Sequence, residues 1–145
     1  MHCRIGVVAL MMVAITGTSA SAQRLKKEES PAYLPPSHVE RIIPKGGEKL
    51  RILFLTSLNP DCSSMGKTIF KLTRRPKFGS VASGAMEDFP GLTSEDYKKC
   101  NTDKTTGTAV FYAPDPDFVG TDTFSGTAIY PSGRARKFEI KVSVE

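Results

Sequence analysis

Polar and apolar positions alternate most cleanly at the end of the chain, where Phe138, Ile140, Val142 and Val144 are interleaved with Lys137, Glu139, Lys141 and Ser143. Side chains along a β-strand point to opposite faces with a period of two, so this segment predicts a strand with one face on a core and the other in water. Just upstream, Phe124, Gly126, Ala128 and Tyr130 alternate with Thr123, Ser125, Thr127 and Ile129, and Pro131-Ser132-Gly133 supplies a turn. The two segments together predict a hairpin. Further strands are expected at Val39–Ile43, Lys49–Thr56, Thr68–Arg75 and Thr108–Ala113, separated by stretches rich in Gly, Pro, Asn and Asp. Positions 52 to 55 are apolar throughout, which suits a central strand. Phe124, Phe138, Ile140 and Val142 are the expected core.

Three segments break this rhythm. Residues 87–107 form a long insertion in which Thr93 and Ser94 are candidate caps for a short helix through Glu95, Asp96, Tyr97 and Lys98. An insertion of this length is either a functional loop or a decoration of the fold. Residues 23–38 combine Lys26, Lys27, Glu28 and Glu29 with Pro31, Pro35 and Pro36, offer little to bury, and are expected to be a flexible leader. Residues 1–22 carry one charge at Arg4, an apolar run from Ile5 to Ile15, and then small residues ending Ser19-Ala20-Ser21-Ala22. That order is the signature of a cleaved secretory signal peptide. A membrane anchor needs about 20 consecutive apolar residues, and this run is shorter. Cys3 precedes the apolar run, so the lipoprotein pattern is absent as well.

With cleavage after Ala22, residues 39–145 remain as one domain of ordinary size behind the leader, secreted or periplasmic and without a transmembrane anchor. Loss of Arg4 takes the formal net charge from +5 to +4. This modest basicity is compatible with anionic envelope polymers and falls short of the dense, one-sided charge of a nucleic-acid binder. Cys62 and Cys100 become the only cysteines in an oxidising compartment, so they are expected to form a disulfide. A redox-active pair would more commonly be spaced Cys-x-x-Cys.

The run Thr108-Ala109-Val110-Phe111-Tyr112-Ala113-Pro114, followed by Asp117-Phe118-Val119-Gly120-Thr121-Asp122-Thr123-Phe124, resembles bacterial cadherin-like, Ig-like repeats. In those repeats a strand ending Tyr-x-Pro is followed by Phe-x-Gly-Thr-Asp-x-Phe. Pro76-Lys77-Phe78-Gly79-Ser80-Val81 is similar to the Pro-x-His-Gly-x-Val segment that precedes it, with Phe78 in place of His. The resemblance covers roughly residues 70–81 and 105–145. It implies an all-β, immunoglobulin-like sandwich and a spacer or binding role at the cell surface. The chain carries one copy, has Gly126 where an aromatic residue is usual, and adds the insertion at 87–107.

Motifs for catalysis or metal binding are weak. Asp61-Cys62-Ser63-Ser64-Met65-Gly66-Lys67-Thr68 ends like a phosphate-binding loop, but Asp61 replaces its opening glycine and would repel phosphate. Past the signal-peptide cut, His38 is the only histidine, which leaves a serine or cysteine nucleophile without a positioned base. Zinc is disfavoured for the same reason, and copper on His38, Met65 and Met86 has no supporting pattern. Glu87, Asp88, Glu95 and Asp96 read as a solvated polar loop rather than a glycosidase pair. Asp115, Asp117 and Asp122 beside Gly120 are weak calcium candidates, with hydrogen bonding to their own turns as the alternative. The chain is therefore expected to be non-catalytic and to need no cofactor.

The remaining expectation is a surface. In Ig-like sandwiches the third strand and the last two share a sheet, which would align Thr68–Arg75, Thr123–Tyr130 and Lys137–Val144. Their outward positions would carry Lys67, Lys71, Arg75, Lys137 and Lys141, with Thr123, Ser125 and Thr127 between them. Such a basic, hydroxyl-rich face is the candidate site for an acidic envelope polysaccharide or an envelope protein. The alternative is a structural spacer whose surface lysines discourage edge pairing.

Overall fold

A computed structural model of the chain describes residues 34–46 and 48–145. The alternation at the C-terminus becomes strand β7, Ala135–Val144, and the segment before it becomes β6, Gly120–Ile129; the two pair antiparallel, with Phe124 opposite Ile140. Strand β3, Ile69–Arg74, pairs antiparallel with the free side of β6. On the other side of β7 lies β1, Leu34–Ile43, running parallel with Val39 opposite Ile140. The second sheet has β5, Thr105–Pro114, between β2, Leu50–Leu55, and β4, Gly79–Asp88. The sheet orders are β1-β7-β6-β3 and β2-β5-β4.

Both sheets bury their inward positions in one shared core. Ile52, Leu53, Leu55, Val110 and Tyr112 come from one sheet, and Phe70, Phe124, Ala128, Phe138, Ile140, Val142 and Val144 from the other. The arrangement is a β-sandwich, and Phe124, Phe138, Ile140 and Val142 lie in its core as expected. At its centre Tyr112 and Phe124 are fully buried and stack with ring centroids 5.8 Å apart. Such a pair adds about 0.5–1.5 kcal/mol beyond its area. Gly126 admits the Phe70 ring, since a Cβ there would lie 2.1 Å from its tip. Phe70, from the neighbouring strand, thus fills space that an aromatic residue at 126 would otherwise occupy.

Two expectations are corrected. Residues 34–38, assigned to a leader, belong to β1; the stretch containing Pro35 and Pro36 lies at a register irregularity on an edge strand, where missing N–H groups break no ladder. Strand β4 was not expected, because its Gly-Ser-Val-Ala-Ser-Gly-Ala-Met core has neither strong alternation nor large β-formers, and its sheet edge leaves it mostly exposed. Residues 87 and 88 close this strand, so the insertion proper is shorter than 87–107. It contains a 3-10 helix, Glu95–Thr102, that starts after Ser94 and carries Cys100 into a buried position, as the short-helix expectation required. The signal-peptide reading concerns residues outside those described. Among the described residues, no helix is long and apolar enough to cross a membrane.

Candidate functional site

The outward face of the four-stranded sheet forms much as its alternation predicts, with Thr127 between Lys71 and Lys137, and Thr123 opposite Lys141. A register shift between Leu72 and Arg74 changes one member. It places Arg74, not Arg75, opposite Ser125, and Thr73 Oγ1 lies 3.1 Å from Ser125 Oγ on the same side. Arg75 falls beyond the end of β3. Lys67 also leaves the face: it precedes β3 and borders depressions shared with Ala85, Thr106 and Gly107 of the second sheet.

Carboxylates interrupt the cations. Glu139 stands between Lys137 and Lys141 on β7, accepts a 2.7 Å hydrogen bond from Lys137 Nζ, and lies 3.3 Å from His38 Nδ1. The Lys137 ammonium holds the Glu139 carboxyl below its ordinary value. Glu40 on β1 lies 3.5 Å from Lys141 Nζ. His38, expected in a linker, is therefore an exposed strand residue facing a carboxylate. Arg74, Thr123, Glu139, Lys141, Glu40 and His38 border an open depression of about 220 Å³ that crosses all four strands. The face is mixed in charge, with cations in excess, rather than uniformly basic.

Asp115, Asp117 and Asp122 do not converge on a cation. Asp122 is buried, and its Oδ1 accepts from the N–H groups of Lys77 at 3.0 Å and Thr123 at 2.8 Å. Its Oδ2 accepts from Phe78 N–H at 2.8 Å and from the Tyr112 hydroxyl at 3.0 Å. Burial alone would raise this carboxyl, but the three backbone N–H groups and the phenol hold it below the ordinary carboxylate value. The same contact, after burial itself, pushes the Tyr112 phenol up. Asp115 belongs to the turn, where its carbonyl accepts from Phe118 N–H and its N–H donates to the Phe78 carbonyl. Phe78 stacks on Phe118 at 4.5 Å, closing that end of the sandwich. Asp115 engages its turn through main-chain groups, whereas the Asp122 carboxylate, on β6, chiefly joins residues distant in sequence rather than bonding its own turn. Among the described residues, no group of three or more His, Cys, Asp or Glu side chains could hold a metal ion.

At the opposite end, Cys62 in the β2–β3 connection is bonded to Cys100 in the 3-10 helix, with Cα atoms 5.3 Å apart. Asp61, the residue that spoiled the phosphate-loop pattern, accepts from both the hydroxyl and the N–H of Ser63, and those bonds lower its carboxyl pKa. The loop leads into β3, so it lacks the helix N-terminus that such a phosphate site requires. Asp88 is ion-paired with Arg51, and Glu95 with Lys98. His38, Met65 and Met86 sit on β1, a loop and β4 respectively.

The disulfide fixes one wall of an open depression of about 380 Å³ at this end. Ser57 and Met65 come from the first cross-linked loop and Tyr97 from the helix; Tyr130, Ser132, Arg134 and Arg136 come from the β6–β7 hairpin. Sequence reasoning passed over these residues because they lie on three separate connections. The available signal was Arg136, which occupies the inward parity of β7 two residues before Phe138.

No family model, curated protein or solved structure matches the chain.

Proposed function

We propose that this protein is an exported, non-catalytic binding module with an immunoglobulin-like, cadherin-like fold, and that the outer face of its four-stranded sheet binds an acidic envelope polysaccharide. The fold reading is supported by connectivity. Strands two, five and four in one sheet, and three, six and seven in the other, reproduce the partition of Ig-like sandwiches, with β1 added parallel to the last strand. The cadherin-like resemblance is supported by the convergence of its motif residues, since Asp122 binds Tyr112 and the Lys77-Phe78 backbone. Gly79 fits the same arrangement, because a Cβ there would lie 2.5 Å from the Ala113 carbonyl oxygen.

The observation that carries the binding role is the alignment of Lys71 and Arg74 on β3 with Lys137 and Lys141 on β7, flanking Thr123 and Thr127 of β6. Exposed charges of this kind act weakly and are screened beyond about 10 Å at 0.1 M salt. Changing Lys71, Arg74, Lys137 and Lys141 together to Glu is expected to abolish retention on an anionic polysaccharide column at low salt. Moderate salt should release the wild-type protein. Unchanged retention by a folded variant would defeat this assignment and favour the second reading, a spacer domain. The ion pairs of Glu139 and Glu40 favour that alternative, because they already neutralise part of the face.

Export rests on residues 1–22. Intact mass of the secreted protein should correspond to a chain beginning at Gln23.

A further inference from the structure

The inward positions of β7 read Phe138, Ile140, Val142 and Val144, all buried in the core. Arg136 holds the same parity at the start of the strand, opposite Ala128 on β6 and level with Leu34 on β1. A guanidinium is thus placed at the open end of an apolar core. Its Nε is buried and has no hydrogen-bond partner among the described residues. An unpaired buried donor is costly, and more so on a charged group. Arg136 borders the 380 Å³ depression at the disulfide end, and among the described residues no carboxylate lines that depression. Arg134 adds a second cation, Ser57 and Ser132 add hydroxyls, and Leu34, Met65, Tyr97 and Tyr130 supply apolar and aromatic surface. The Tyr130 phenol is pushed up by its burial, against the opposing charge of Arg136.

The walls of the depression are held in place. The Cys62–Cys100 bond ties the two loops that carry Met65 and Tyr97. Met65 N–H donates to the Ser57 carbonyl at 2.9 Å, and the hairpin is closed by Tyr130 N–H to the Arg134 carbonyl at 2.9 Å. Preorganised walls lower the ordering cost of binding.

We propose that this depression binds a single carboxylate-bearing sugar ring. Arg136 and Arg134 take the carboxylate, for which a planar guanidinium offers paired N–H donors. Tyr97 and Tyr130 cover the apolar face of the ring, and the serine hydroxyls meet its own hydroxyls. The open depression, at about 380 Å³, has room for one such ring with part of it left in solvent. The site shares no lining residue with the depression on the sheet face, so the two assignments stand or fall separately.

The test uses the oxidised mature chain. Its sequence contains no Trp and four Tyr, so intrinsic fluorescence reports tyrosine, and Tyr97 and Tyr130 line the site. Titration with glucuronate is expected to give a saturable change, while glucose gives none and inorganic phosphate and sulfate bind at least about tenfold more weakly. Arg136→Met should lose at least about tenfold in glucuronate affinity while keeping or raising thermal stability, because it removes a buried N–H that has no partner among the described residues. A purely structural Arg136 would instead lower the melting temperature. Arg134→Gln, on the exposed hairpin, provides a second variant whose folding is not at issue and should also weaken binding. Lys45→Glu, an exposed residue just past β1 that borders neither depression, should leave glucuronate affinity unchanged. Absence of a saturable response to about 10 mM glucuronate would overturn the site. An equal response to glucose would overturn the carboxylate assignment, and equal or tighter binding of phosphate would overturn the sugar assignment.

Discussion

Asp122 shows how one side chain organises an end of the sandwich. Four donors from three elements meet on its two oxygens, so its ionised form is stabilised in the folded state relative to the unfolded one. A lowered carboxyl makes its contribution in full above the unfolded value, near pH 4, and loses it as pH falls through the lower folded value. Asp122→Asn should therefore destabilise the protein by about 3 kcal/mol at pH 7, since an amide cannot accept all four bonds. It should also flatten the loss of stability below pH 4, measured by urea titration across pH. A mutant with the wild-type acid profile would show that the carboxyl is not the organising group. The Phe70–Gly126 contact makes a second claim at this scale. Gly126→Ala should cost about 1–3 kcal/mol through overpacking against the buried ring, and Phe70→Leu in the same chain should recover part of that loss.

Among the elements, the decisive pair is two connections rather than two strands. The β2–β3 loop and the 3-10 helix have no sheet pairing between them to set their separation, and the Cys62–Cys100 bond does so across 38 residues. On the chain-entropy argument the bond stabilises the fold by about 4 kcal/mol. Replacing both cysteines by Ser should lower the urea midpoint by about 2 M. The strands should survive, because the core lies below the loops, so far-UV circular dichroism of the folded variant should stay β-rich while glucuronate affinity falls. Loss of all β signal in native buffer would mean that the bond is needed for folding of the sandwich itself.

Across the whole molecule, the first described strand pairs with the last, Val39 with Ile140, and both sheets feed one core. Contacts between residues this far apart must wait for loop closure, which places the chain among slow folders on a millisecond-to-second scale. A shared core also predicts one cooperative transition. Circular dichroism and tyrosine fluorescence should trace the same urea curve for the oxidised protein; two separated midpoints would show that the sheets unfold independently. The two candidate surfaces also differ in salt response. The sheet face relies on exposed charges and should weaken with salt, whereas Arg136 is half-buried and less screened.

What the sequence by itself determined is local and periodic. Period-two alternation placed β6 and β7 and four core residues, the two cysteines implied their bridge, and Thr93 or Ser94 marked the start of the short helix, which begins after Ser94 without a capping bond from its side chain. Strand β4 escaped because edge strands with small side chains carry little hydrophobic signal. The replacement of Arg75 by Arg74 followed from a bulge, which depends on how two strands pair and not on either one alone. Asp122 read as a calcium candidate until its partners arrived from residues 77, 78 and 112, brought by long-range packing. Arg136 looked like an ordinary strand arginine, and only the closing of three connections around it left its Nε buried without a partner among the described residues. Alternation specifies which face a side chain takes; the meeting of distant segments decides what that face encounters.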